Sequence, residues 1–412
     1  MASCAASRRG GSQCAADAVL RRAGRAWAAA GLGLLMGFMP PQPAAAQPCT
    51  APGWPAWEVF KRQFVSGDGR VIDPSSPRQH TTSEGQAYGL FFALVANDRP
   101  AFDRLLRWTE DNLAAGDLAS RLPAWQWGRR DDGTWQVLDA NAASDADLWM
   151  AYALGEAGRL WQHRRYAALA TLLTARIAHD EVRPLPGLGP VLLPGPVGFG
   201  PDAEGPRVRA RLNASYLPPS LLQWFASRHG GLWHDVRQSA LRVIDASAPK
   251  GFAADWVAYE GDATRQAGEF RLPDEAEVRT GSYDAIRVYL WVGVTSPADP
   301  ARAALLQRLA PMAAQVERAG VPPEHVDPRE LTVRGDGPAG FSAALLPFLA
   351  AAQRPAALEH QRQRTQPRDN AYYEQALALF GLGHHEARYR FERDGTLLPA
   401  WTTCTTPPSP SR

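Results

Sequence analysis

Apolar positions recur every three to four residues along most of this chain, in long stretches that open on Ser, Gly or an acid. Residues 144–161 are the clearest case. Ser144 is placed to cap a helix, Asp147 takes the capping-box position three residues later, and Met150, Leu154, Ala157 and Trp161 form the apolar stripe. The same layout predicts a helix from Ser83, with Gln86 at the capping-box position and Tyr88, Phe91, Phe92 and Val95 behind it. A third follows Ser282, with Ile286, Tyr289 and Leu290. One set of such segments starts near Glu84, Asp145, Tyr216, Asp284, Phe341 and Tyr372; a second interleaves at 54–66, 101–113, 162–178, 234–246, 300–317 and 352–363. No run reads convincingly as a strand except around 187–199, and the Pro- and Gly-rich 184–206 reads as an ordered loop or hairpin. Alternating helices of this kind predict an all-α (α/α)6 barrel of inner and outer rings, with a small β/loop insertion at 184–206. The first set is expected on the inner ring, with its N-termini facing a cleft.

The candidate chemistry lies at those N-termini. A carboxylate in a first turn is ordinarily a cap, favoured by unpaired N–H groups and the helix dipole. Here the arrangement repeats: Glu84, Asp145 and Asp284 each open a separate apolar helix beside Ser and an aromatic. If those helices pack side by side, the three acids converge. Asp147 reads as a helix cap and not as a catalytic group, and Asp145 with Asp147 does not read as a cation site, since carboxylates two apart on a helix do not face one another.

The run Ala143-Ser144-Asp145-Ala146-Asp147, followed by Met150-Ala151, Ala153-Leu154, Ala157 and Trp161, resembles the signature of glycoside hydrolase family 8. So do GRVID (69–73), TTSEGQ (81–86), RLPAWQWG (121–128), LPGPVGF (193–199), SYLPP (215–219), APKGF (248–252), SYDAIRVYLWVG (282–293) and GFSAALLPF (340–348). The likeness runs from about Trp54 to about Trp401 and is similar in detail to the branch of the family associated with bacterial cellulose synthesis. It implies the same (α/α)6 fold and an inverting endo-β-1,4-glucanase without a cofactor. By the resemblance Glu84 is the general acid, Asp284 the general base and Asp145 the carboxylate that stabilises a distorted sugar. Cellulose is the expected substrate; chitosan, xylan or mixed-linkage glucan are open alternatives, because the acid set does not separate them. A rival of another class, a catalytically silent glucan-binding scaffold of the export apparatus, would have no need of a cleft acid and base.

Substrate contacts are expected from aromatics. Trp125 and Trp127, two apart in RLPAWQWG, are candidates for a stacking platform, and Tyr216 in SYLPP for another, with core packing the competing reading for each. Arg287 falls three residues after Asp284, on the same helix face, placed to orient that carboxylate, bind sugar hydroxyls or form a structural ion pair. Tyr88 and Tyr283 flank the acids.

Charge changes the picture only at the N-terminus. Residues 1–46 carry five arginines and one aspartate, then the apolar run Ala28–Met39 and a final Ala-Ala-Ala, the layout of a secretory signal cut after Ala46. An uncleaved anchor and a start placed too far upstream are the other readings. Without those residues the totals of 44 basic and 42 acidic side chains become 39 and 41, a net charge of −2. No clustered base suggests a nucleic-acid partner. The expected organisation is a signal at 1–46, one catalytic domain at 47–402 and a tail at 403–412, in a secreted, periplasmic protein. It would have no stable membrane anchor after cleavage, and its partners would be a β-1,4-glucan and the cellulose synthase or export machinery. Of four cysteines, Cys4 and Cys14 leave with the signal. Cys49 and Cys404 remain and are expected to form one bridge, with two free thiols the alternative. No Cys/His cluster suggests a metal.

Overall fold

In the computed structural model, residues 53–274, 279–366 and 370–402 are described. The predicted signal, Cys49, Cys404 and the tail lie outside them. Twelve α-helices appear among the described residues. The inner ring is α2 (Ser83–Val95), α4 (Ser144–Leu160), α6 (Pro219–His229), α8 (Ala285–Val294), α10 (Ala339–Ala351) and α12 (Tyr372–His385). The outer set is α1 (Pro55–Phe64), α3 (Arg99–Asn112), α5 (Arg164–Asp180), α7 (Gly231–Ser247), α9 (Arg302–Ala319) and α11 (Pro355–Arg362). Each inner helix packs on the next, from α2 through α4, α6, α8 and α10 to α12. The ring closes through Phe380 on α12, whose side chain meets Phe91 and Phe92 of α2 and also Trp149 of α4 and Trp291 of α8. Aromatic rings from four inner helices therefore fill the barrel axis, and edge-to-face pairs of this kind add to the burial of their area.

Burial accounts for the two kinds of helix. Every residue of α8 is buried, and so is nearly all of α2, so these helices read as apolar all round. The outer helices keep one wet face: α3 buries Phe102, Leu105, Leu106 and Trp108 and leaves its charges outside. Inner helices approach closely where glycine permits. A Cβ on Gly381 of α12 would overlap the Ala343 carbonyl of α10.

The helix starts differ in detail from the capping expected. Thr82, not Ser83, caps α2, its hydroxyl accepting from Gly85 N at 3.2 Å. Gln86 turns inward instead of closing a capping box: its amide donates to the Gly69 and Leu105 carbonyls and its oxygen accepts from Val71 N. Ala143 occupies the N-cap of α4 with no side-chain bond. Asp147 caps nothing. It is wholly buried and faces Glu181, at the end of α5. Tyr216 belongs to a 3-10 turn (Ala214–Tyr216), and α6 starts after it, at Pro219.

The strands lie in the connections. Thr81–Thr82 (β1), Gln126–Arg129 (β2) and Trp135–Asp139 (β3) form one sheet. Val182–Leu185 (β4) and Gly189–Leu192 (β5) form a hairpin that begins two residues before the expected 184–206 segment and covers only its first part. A four-stranded antiparallel sheet of Asp202–Glu204 (β6), Arg207–Leu212 (β7), Val257–Asp262 (β8) and Ala267–Arg271 (β9) was not anticipated. VAYEGD of β8 and the end of β7 alternate buried and wetter positions, while β6 and β9 are almost wholly exposed, in runs too short and too Arg- and Glu-rich to stand out from loop. Two small hairpins complete the set: Pro323–Val326 (β10) with Val333–Asp336 (β11), and Tyr389–Phe391 (β12) with Leu397–Pro399 (β13).

Candidate active site

Three helix starts deliver three acids to one end of the ring. Glu84 lies in the first turn of α2, Asp145 in the first turn of α4, and Asp284 at the N-cap of α8. Arg287, one turn into α8, joins them. Its Nη1 donates to Asp145 Oδ2 at 2.7 Å and its Nη2 to Asp284 Oδ1 at 2.6 Å. Nη1 also reaches the Tyr88 hydroxyl at 3.1 Å, and the guanidinium lies over the Tyr216 ring, 5.5 Å from its centroid. Asn213 fixes the other oxygen of Asp284, donating from Nδ2 at 2.9 Å. One buried, permanently charged side chain thus sets the distance between two carboxylates on different helices.

Glu84 is treated differently. Its Oε1 accepts from the Trp125 indole N–H at 3.2 Å, while its Oε2 is buried without a partner. Burial, and after it the neighbouring Asp145, push the carboxyl up to about 8. The backbone N–H at the helix start, Arg287 and Trp125 pull the other way and lose. Glu84 therefore keeps its proton at neutrality despite sitting where a helix dipole favours the anion. Burial raises Asp145 as well, against the opposing pull of Arg287. With the guanidinium at 2.7 Å, Asp145 is the member of the Glu84–Asp145 pair that ionises first. The site pairs an acid that holds its proton with a carboxylate, Asp284, that is partly open to solvent and anchored on both oxygens. That is the combination needed to protonate a leaving group on one side and accept a proton from water on the other.

The remaining predicted residues divide. Tyr88 and Tyr216 lie in the cluster through Arg287, and Trp125 through Glu84. Tyr283 is exposed beside Asp284, its hydroxyl donating to Glu324 Oε1 at 2.8 Å and its ring against Phe341. Trp127 does not share a platform with Trp125. A bulge between Gln126 and Trp127 breaks the two-residue alternation, and the Trp127 ring stacks instead on Trp135 and the Arg70 guanidinium, with Trp108 at its edge. The platform is supplied by residues not singled out in the sequence. Trp256 stacks on Phe199 at 5.8 Å and 4°, with Arg211 over its ring and Tyr216 beside it. Together with Trp125 and Asn141 these residues line an open cleft of about 300 Å³. Trp256 follows the APKGF motif by only a few residues, which was the available signal.

No cluster of three or more His, Cys, Asp or Glu among the described residues has the geometry to hold a metal ion. The family model described as Glycosyl hydrolases family 8 matches residues 36–387. The chain belongs to this family. An endoglucanase of Escherichia coli strain K12 is 51% identical over 351 residues, covering 84% of this chain and 91% of that one. An endoglucanase of Xanthomonas axonopodis pv. citri is 46% identical over 374 residues, covering 88% and 93%. The crystal structure of endo-1,4-D-glucanase from Vibrio fischeri superposes with a TM-score of 0.77 at 40% identity, covering 85% of this chain and all of that one. These family 8 relatives match most of the length over which the acids, Arg287 and the aromatic cleft are built.

Proposed function

We infer that this family 8 chain is an inverting endo-β-1,4-glucanase acting on internal bonds of cellulose. The observation that carries the reading is the Glu84 carboxyl, pushed up to about 8 by burial and Asp145, together with Asp284 anchored by Arg287 and Asn213. In the proposed reaction Glu84 donates its proton to the leaving glycosidic oxygen as the bond to the anomeric carbon breaks. Asp284 takes a proton from a water that attacks the same carbon from the opposite face. Asp145 steadies the charge of the distorted sugar. The water supplies the new anomeric hydroxyl, and configuration inverts. Trp125, Tyr216 and Trp256 line the cleft with aromatic surface, which gives a long glucan affinity without fixing its register. The names of the relatives support glucan as substrate.

The signal-like residues 1–46 support export, and a periplasmic place in bacterial cellulose production fits the branch the sequence resembles. Reducing-sugar release from a panel of cellulose, chitosan, xylan and mixed-linkage glucan tests the substrate; release from chitosan or xylan alone would overturn it. Proton NMR of the first product should show the α-anomer, and a β-anomer would refute inversion. Export is tested by sequencing the N-terminus of the exported protein, which should begin at Gln47.

A further inference from the structure

Asp255 has no part in the reaction as argued above, yet it packs against the base. It lies between α7 and β8, where its segment meets the turn before α8 backbone to backbone: a Cβ on Gly281 would overlap the Ala253 carbonyl. Asp255 Oδ1 accepts from Ser282 N at 2.8 Å and from Ala285 N at 2.7 Å, one on each side of Tyr283-Asp284. Its own backbone N–H donates to Thr280 O at 2.7 Å. The second carboxylate oxygen meets no donor among the described residues. The titratable and charged groups that face Asp255 are Asp284 and Arg287 at the start of α8, Tyr289 further along it, and Tyr373 of α12.

We propose that Asp255 is a positioning residue for Asp284, clamping the turn that presents the base and setting a second negative charge beside it. The proposal rests on the reading of Asp284 as the base. Arg287 sets a positive charge against one oxygen of Asp284, and Asp255 sets an opposing charge against the same turn. Burial, and then Asp284 itself, raise Asp255 to about 6.

The test is Asp255→Asn, which keeps an oxygen for the two N–H groups and removes the charge. With that negative neighbour gone, the acid limb of kcat/KM should move to lower pH by about half a unit or more. We expect kcat to fall about tenfold with KM within about twofold. Asp255→Glu, which retains the charge, should leave the limb in place. A slower Asp255→Asn enzyme with an unmoved limb means a turn-holding role alone and overturns the proposal. Should Asp255→Asn not fold, carboxyl ¹³C titration decides: Asp255 should titrate near 6 in the wild type and lower in Asp284→Asn, and equal values overturn the proposal. Failure of the parent reading looks different, since Asp284→Asn would then stay active.

Discussion

The Arg287 guanidinium on α8 donates to the Asp145 carboxylate at the start of α4 across 2.7 Å, both side chains almost wholly buried. The same guanidinium holds Asp284 at 2.6 Å, so a single fork spans two of the three acids. An ammonium, a point charge on a flexible stem, cannot reproduce that fork. Arg287→Met should leave Asp145 charged and unpaired, at a cost of about 3–5 kcal/mol. Urea denaturation measures it, and a loss below about 1 kcal/mol would show that the pair does not hold the helices in place.

Asp145 also acts on Glu84. Its negative charge is the second cause, after burial, that keeps the Glu84 proton in place to about 8. Asp145→Asn removes that charge, lowers the Glu84 pKa and should carry the alkaline limb of kcat/KM to lower pH. Trp125→Phe removes a hydrogen bond that favours the anion and should move the limb up. The pH profiles of the two variants should shift in opposite directions, and parallel shifts would refute the electrostatic account.

Asp147 and Glu181 form a second acid pair, wholly buried behind Asp145, with no other donor reaching any of their four oxygens among the described residues. Burial, reinforced by each other's charge in the case of Glu181, raises both well above the carboxylate range. A carboxyl whose folded pKa lies above its unfolded value binds more protons folded than unfolded. Stability from this pair is therefore greatest at low pH and declines above the unfolded value, near 4.5, at up to about 1.4 kcal/mol per pH unit per proton. Glu181→Gln supplies a permanent N–H donor. Thermal unfolding should find it near wild type at pH 5 and more stable at pH 9; an unchanged slope with pH would contradict the pairing.

Trp256 is a half-buried wall of the cleft. Trp256→Ala should raise KM for cello-oligosaccharides about tenfold, equivalent to about 1.4 kcal/mol, while kcat changes little. Initial rates on a soluble oligosaccharide series check this. A loss confined to kcat would place Trp256 with the reacting groups and not with the platform.

The legible part of this molecule is local. Glu84, Asp145 and Asp284 each sit at a helix start, where the apolar period and the neighbouring Ser announce them, and the alternating inner and outer helices follow from the same period. Arg287 was legible by its spacing from Asp284, though its grip on Asp145 crosses from one helix to another. What escaped the sequence is tertiary. Asp255 meets the turn that carries Asp284 from a segment far from it in the chain, and Asp147 looks like a cap until α5 brings Glu181 against it. Thr82 displaces Ser83 as cap because β1 sets its backbone in the extended form just before α2. Trp127 was misplaced by a bulge that inverts its face.

The assignment of acid and base is tested most directly by changing the leaving group. Glu84→Gln and Asp284→Asn should each lose about 10²–10⁴ in kcat on cello-oligosaccharides, whose leaving hydroxyl needs a proton. A dinitrophenyl cello-oligosaccharide leaves without one. On that substrate Glu84→Gln should recover most of the wild-type rate, while Asp284→Asn, still lacking the group that activates water, should not. Recovery by Asp284→Asn, or equal failure of both, would contradict the account.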